Sequence, residues 1–282
     1  MSGFSSHQKP VSLALGGGGA RGLAHVVVLE VLDDLGVRVE AISGTSIGAI
    51  IGAGYASGLS GRDIREATLT LFSDTSAVLQ SLWKLRGDRL LPKLFPTNID
   101  PELVLETFVG DLIPRHFDDL KTPLAIVASD YYGWKEKVFR SGDLRKAVAA
   151  SIAIPVLFSP IRSDGRVLVD GGFVNPLPFD HLPSDMMTIA VDVTGGPKAP
   201  PLEEGQIEIP LPGIRDMLFG STQFIMQSIT NEKLKARRPD VLISPPIDAY
   251  GVLDFLKVKE ILTATDAERD GIKRQIETQL SI

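Results

Sequence analysis

The stretch that decides the fold is SGTSIGAIIG, residues 43–52. Ser46 stands between Gly44 and Gly48, and no charged residue occurs from 41 to 61. The run is long enough to cross a bilayer on length alone. Six glycines, at 44, 48, 52, 54, 58 and 61, and several hydroxyl residues make it only moderately apolar. A soluble strand–turn–helix is therefore the preferred reading. Residues 37–42 alternate like a strand, and 47–57 have helical character closed by Gly58. Upstream, VSLAL at 11–15 is a short buried-strand pattern between Pro10 and four glycines. Residues 22–35 carry apolar side chains at helical spacing and stop before Gly36. Strand, helix, strand, helix in this order predicts an α/β fold with a parallel sheet and right-handed crossovers.

Helices are predicted at 62–71, 101–109, 143–150 (capped by Asp143), 214–235 and 258–280. Further strands are expected at 124–129, 137–139, 167–169, 188–193 and 241–244. The stretch 195–213, rich in Gly, Pro and Glu, reads as a flexible excursion inside one domain. The expected organisation is a tail at 1–10 and one catalytic domain at 11–282. Within it, 11–178 carries the motifs and 214–282 the C-terminal helices and last strand.

The 282 residues can bury a substantial core, and the net charge of −6 offers no footprint for a nucleic-acid backbone. Without cysteine there is no disulfide or thiolate metal site. The N-terminus MSGFSSHQKP lacks the basic and apolar regions of a signal peptide, so a cytoplasmic location is expected.

Three short motifs carry the chemistry. GGGGARG at 16–22 follows a strand and opens a helix. Glycines there leave backbone N–H groups facing outward, and the helix N-terminus adds positive potential, so the loop could hold a pyrophosphate or an ester oxyanion. Glu40, the acid a dinucleotide site would need, is followed at once by the 44–48 turn, which counts against the nucleotide. The second motif is GxSxG, with Gly44 and Gly48 leaving room for a sharp bend that lifts Ser46 above the sheet. An ordinary Gly/Ser turn is the alternative. The third is LVDGGFVNPLP at 168–178, where Asp170 closes a strand before two glycines. It reads as a D-G hairpin turn or as a carboxylate facing a cleft. A partly buried carboxylate with a raised pKa could take the serine proton directly. Of the four histidines, at 7, 25, 116 and 181, only His181 follows a plausible acid in the Ser…Asp…His order. His25, on the first helix, reads as structural.

Residues 17–22 (GGGxRG), 44–48 (GTSIG) and 150–172 (ASIAIPVLFSPIRSDGRVLVDGG) resemble the patatin-like phospholipase family in text and order. The resemblance is strong over 11–178, moderate at 240–263, and weak at 60–120 and 195–235. It implies a three-layer α/β/α fold and a Ser–Asp dyad that hydrolyses acyl esters of phospholipids, lysophospholipids or simple alcohols. By position it makes Ser46 the nucleophile and Asp170 the base. The amides of Gly17, Gly18 and Gly19 become the oxyanion hole, and Arg21 a loop-positioning residue. No cofactor or metal is implied.

Two other readings stand beside it: a Ser-His-Asp esterase using His181, and a non-enzymic module binding lipid or nucleotide through 16–22. A lipid or acyl-ester substrate is expected, with no nucleic-acid partner. Peripheral contact with a membrane surface and a homodimer through the apolar C-terminal half are further expectations. One of two segments is expected to cover the cleft. The first is 82–95, with bulky apolar and basic residues; the second is 195–213 with the adjoining MLFGSTQFIM at 217–226.

Overall fold

In the computed structural model, residues 10–73, 99–197, 199 and 207–281 are described. The segment 82–95 and His7 lie outside them. Eight strands form one sheet: β1 (Val11–Leu15), β2 (Val39–Thr45), β3 (Leu124–Asp130), β4 (Lys135–Phe139), β5 (Ile161–Ser163), β6 (Arg166–Asp170), β7 (Met187–Val191) and β8 (Val241–Ile243). The hydrogen-bonded order is β5-β6-β3-β2-β1-β7-β8, with β4 also paired to β3. The five strands β3-β2-β1-β7-β8 are mutually parallel, while β4, β5 and β6 are antiparallel additions. The sheet is thus mainly parallel, as the alternation of elements predicted.

The described α-helices are α1 (His25–Asp34), α2 (Ile47–Ala56), α3 (Gly61–Leu71), α4 (Pro101–Phe108), α5 (Leu144–Ser151), α6 (Ile214–Ala236), α7 (Val258–Asp266) and α8 (Arg269–Leu280). β1, β3 and β7 are buried along their whole length. This is the mark of a sheet covered on both faces. Leu13, Leu15, Ile189 and Val191 point into the larger core with Val27, Leu29 and Ile261. Their neighbours Ala14 and Ala190 point the other way, against Leu177 and Phe179, with Leu234 of α6 alongside. Small residues on that face let the chain after β6 lie close to the sheet.

Three local differences from the sequence expectations have simple causes. The helix expected from Gly22 begins as a 3-10 segment, Gly19–Ala24, that tightens the turn out of the glycine loop. The single helix expected over 258–280 is two, α7 and α8. A hairpin, β5–β6, lies where only one strand was expected. Its two-residue loop is Asp164-Gly165, both at positive φ (50° and 72°), as a tight right-twisted hairpin requires.

The registers explain how the site is built. Val127 pairs with Thr45 of β2 on one edge and with Val138 of β4 on the other. One residue on, Ala128 pairs with Lys137 of β4 and with Asp170 of β6. Since β4 holds one edge throughout, β2 and β6 share the opposite edge. They run in opposite directions and meet end to end. Their last residues, Thr45 and Asp170, face consecutive residues of β3.

Candidate active site

Ser46 follows Thr45 at this junction. Its backbone adopts φ 54° and ψ −122°, a strained conformation for a residue with a side chain. Several bonds hold it there. Ser46 N donates to Ser151 Oγ at 2.8 Å, and Ser151 Oγ donates to Val127 O at 2.6 Å. Ser46 O accepts from Ala49 N at 2.8 Å as α2 begins. Gly48 is required by close approach, because a Cβ there would lie 2.1 Å from Leu15 O. The chain thus bends sharply at Ser46, from β2 into α2.

Asp170 is 5% exposed. Its Oδ2 accepts from Ser46 Oγ at 2.6 Å and its Oδ1 from Gly172 N at 2.8 Å. Its own carbonyl accepts from Ser129 Oγ at 2.7 Å, and its N–H donates to Ala153 O at 3.0 Å. Burial pushes the carboxyl up to about 6, and the two hydrogen bonds it accepts pull in the opposite direction. The chain beyond Asp170 is held to the serine side of the site by three bonds. Thr45 Oγ1 donates to Asn175 O (2.8 Å), Ser43 Oγ to Pro178 O (2.9 Å) and Gly17 N to Pro176 O (2.8 Å).

That last bond corrects one expectation. The Gly17 amide, grouped with Gly18 and Gly19 as a donor to an oxyanion, is already paired with Pro176 O. The loop turns at this point, so Gly17 braces the segment after Asp170. Gly18 and Gly19 do line a small cavity with Ser46 and Asp170. Their amide N–H groups have no partner among the described residues. Gly19 has φ +59°, and a Cβ there would meet Val252 O at 2.2 Å, so no other residue fits.

Arg21 is buried. Its Nε donates to Tyr250 O and its Nη1 to Thr194 O, both at 2.6 Å. With its oxygen turned toward Arg21, the Gln223 amide accepts from Nη1 at 2.6 Å. Burial lowers the guanidinium's pKa, while Asp248 and Asp254 raise it. The side chain thus ties the glycine loop to the chain after β7, to the 250 region and to α6. His25 is fully buried, with Nε2 2.9 Å from Gly16 O. Burial takes its pKa down to about 4, against the opposing effect of that hydrogen bond, so it is neutral and donates to the loop carbonyl.

His181 is not joined to Ser46. Its Nε2 lies 2.9 Å from Glu136 Oε2. Glu136, Asp180 and His181 bring their polar atoms within 4.8 Å of one another, a grouping that could attract a cation. The Lys233 ammonium bonds to Asp180, to Asn175 Oδ1 and to Leu177 O beside them, so a positive charge is already provided. Glu40, on β2, pairs with exposed Arg38. Sequence reading missed Ser151, Thr45 and Ser43 as supports. Ser43 and Thr45 lie beside Ser46 in the sequence, and the fold brings Ser151 to it. Among the described residues no helix is long and apolar enough to cross a membrane.

The cavity over the pair has a volume of about 30 Å³. Its roof is α6, through Phe219, Thr222, Gln223 and Met226.

A sequence model of the patatin-like phospholipase family matches residues 13–183. An uncharacterized NTE family protein of Mycobacterium bovis is 33% identical over 198 residues, covering 67% of this chain and 51% of that protein. The lysophospholipase NTE1 of Coccidioides immitis is 28% identical over 276 residues, covering 90% of this chain and 17% of that protein. The chain therefore spans about half, or less, of the length of these relatives. Among solved structures, the ExoU–SpcU complex of Pseudomonas aeruginosa aligns with 98% of this chain and 53% of the matched chain, at 17% identity and a TM-score of 0.48. The matched region contains the glycine loop, the serine elbow and the Asp170 strand end, and the chain belongs to the patatin-like phospholipase family.

Proposed function

We propose that the protein hydrolyses carboxylic ester bonds of lipids through an acyl-enzyme on Ser46, with Asp170 as general base. The observation that carries this reading is the 2.6 Å bond from Ser46 Oγ to a buried carboxylate whose pKa lies near 6. At neutral pH such a group is mostly ionised, yet more basic than an ordinary carboxylate. The family description and the lysophospholipase name of one relative support a lipid ester as substrate.

Asp170 accepts the Ser46 proton as Oγ attacks the ester carbonyl carbon. The carbonyl electron pair moves to oxygen, and the Gly18 and Gly19 amides hold the resulting oxyanion. As the intermediate collapses, the C–O bond to the alcohol breaks, and Asp170 returns the proton to the leaving oxygen. A water then gives its proton to Asp170 as it attacks the acyl-serine, and when the Oγ–acyl bond breaks Asp170 passes that proton to Ser46 Oγ, releasing the fatty acid and restoring both residues. Arg21 and His25 keep the glycine loop in position. No step requires a metal or cofactor.

The test is hydrolysis of p-nitrophenyl esters of increasing chain length by wild type, Ser46→Ala, Asp170→Asn and His181→Ala. Fluorophosphonate labelling of Ser46 accompanies it. Loss in the first two variants with activity kept in the third is expected. Loss in the His181 variant, with its fold intact, would return the triad. Full activity in Ser46→Ala would end the serine mechanism.

A further inference from the structure

Helix α6 turns an apolar face toward water as well as one toward the cavity. Ile214, Met217, Leu218, Phe224 and Ile225 are all exposed, and their spacing places them on one face. Ser221 and Ser228 complete that face and are exposed too. The opposite face carries the more polar buried residues, including Gln223 and Thr230. Just before the helix, Ile207, Ile209 and Leu211 alternate with Glu208 and Pro210 and are also exposed, Ile207 and Leu211 at 93% and 94%. A contiguous run of large apolar side chains in water marks an interaction surface.

The inward side of the same helix roofs the Ser46–Asp170 cavity, and the Met226 methyl lies against Gly172. A 30 Å³ cavity holds about one water. An acyl chain needs a pocket of several hundred Å³, on the order of ten times this. A long acyl chain therefore gains the room it needs if α6 moves outward. The C-terminal half of α6 is fixed by Lys233 to Asp180 and Leu177 O. Among the described residues, its middle is held to the rest of the chain by the Gln223–Arg21 contact.

We infer that the outward face of α6 and the 207–211 segment dock on an uncharged or zwitterionic lipid surface, and that this docking draws α6 away from the cavity. The inference rests on the lipid-ester reading above. Charge selects the kind of surface. Between 207 and 231 there are two acids, Glu208 and Asp216, and one base, Arg215. A basic cluster that would favour anionic lipid is missing from this stretch. The association is then driven by apolar burial.

The test is flotation with phosphatidylcholine vesicles, using wild type and Ser46→Ala so that binding is read with and without hydrolysis. Two double variants are compared, Met217→Glu with Phe224→Glu, and Ile207→Ser with Leu211→Ser. The second lies outside the helix and leaves its folding alone. We expect wild type and Ser46→Ala to bind equally, with each double variant weakened about tenfold or more. Hydrolysis of a soluble short-chain ester should be unchanged in both double variants. Added salt should not weaken binding, and phosphatidylserine should not strengthen it. The inference is overturned if wild type ignores the vesicles, if both double variants bind as wild type, or if binding demands anionic lipid. A wild-type dimer that both double variants split, without vesicle binding, would make the stripe a self-interface. Vesicle binding with no ester cleaved would reject the serine mechanism and leave the surface standing. Cleavage of soluble esters without vesicle binding would do the reverse.

Discussion

Glu30 and Asp170 are equally buried, each 5% exposed, but their surroundings differ. Glu30, on α1, receives two hydrogen bonds from Arg65 at 2.7 Å and another from Arg269. The same arginines bond Asp266, so α1, α3 and the α7–α8 corner are joined by one ionic knot. Asp170 has a hydroxyl and an amide as its side-chain partners and no paired cation among the described residues. The first carboxylate is neutralised where it sits and joins helices. The second is left with its charge uncompensated, and its proton affinity rises. Burial alone does not make a base; burial without a counter-charge does.

This contrast can be broken at either end. The largest effect is expected at the site. Ser46→Ala or Asp170→Asn should lower kcat for ester hydrolysis by about 10⁴ or more, measured against a soluble chromogenic ester. Glu30→Ala should do the opposite, leaving kcat near wild type but unfolding the chain earlier. Removing the shared acceptor leaves Arg65 and Arg269 bonded to Asp266 but without their buried partner, at a cost of about 2 kcal/mol in chemical denaturation.

Asp170→Asn should also stabilise the protein. The folded-state pKa of Asp170 is about 6, above the ordinary 3.8. The native state therefore binds the extra proton between pH 4 and 6, and its stability falls as pH rises through that window. At pH 7 the asparagine variant should gain up to about 3 kcal/mol, and the gain should vanish below pH 4. The same titration predicts that kcat/KM falls about tenfold per pH unit below pH 6. The smallest effect is at Ser151. Its loss removes the acceptor of the Ser46 N–H, so Ser151→Ala should reduce kcat about tenfold with little change in KM, seen in steady-state kinetics on the same ester.

The first half of the site was readable because its signals are local. VSLAL ends in glycines, and GTSIG sits between a strand pattern and a helix pattern. Those signals mark β1, β2, α2 and the Ser46 elbow directly. Asp164-Gly165 is an equally plain hairpin signal, whereas Asp170-Gly171, six residues later, closes a strand without turning a hairpin. The fate of the Gly17 amide could not be read from the chain, because its acceptor, Pro176, is distant in sequence. The same holds for Ser151, which reaches Ser46 only when α5 packs beside β3. The outward apolar face of α6 was written in the spacing 214, 217, 218, 224, 225. Periodicity alone marks a face, and tertiary structure decides whether it turns toward the core or toward water.

The end-to-end meeting of β2 and β6 on one edge of β3 also has a consequence during synthesis. The two partners of the 2.6 Å bond are 124 residues apart in the chain. As the polypeptide leaves the ribosome, β1, β2 and β3 can pair while β6 is still unmade. Ser46 then has no carboxylate facing it, and the end of β3 at Ala128–Asp130 is open along that edge. On the proposed mechanism, the unfinished chain is harmless to the esters around it. Reactivity arrives late, in the same step that caps an adhesive strand edge, so a nascent chain that stalls before Asp170 stays inert.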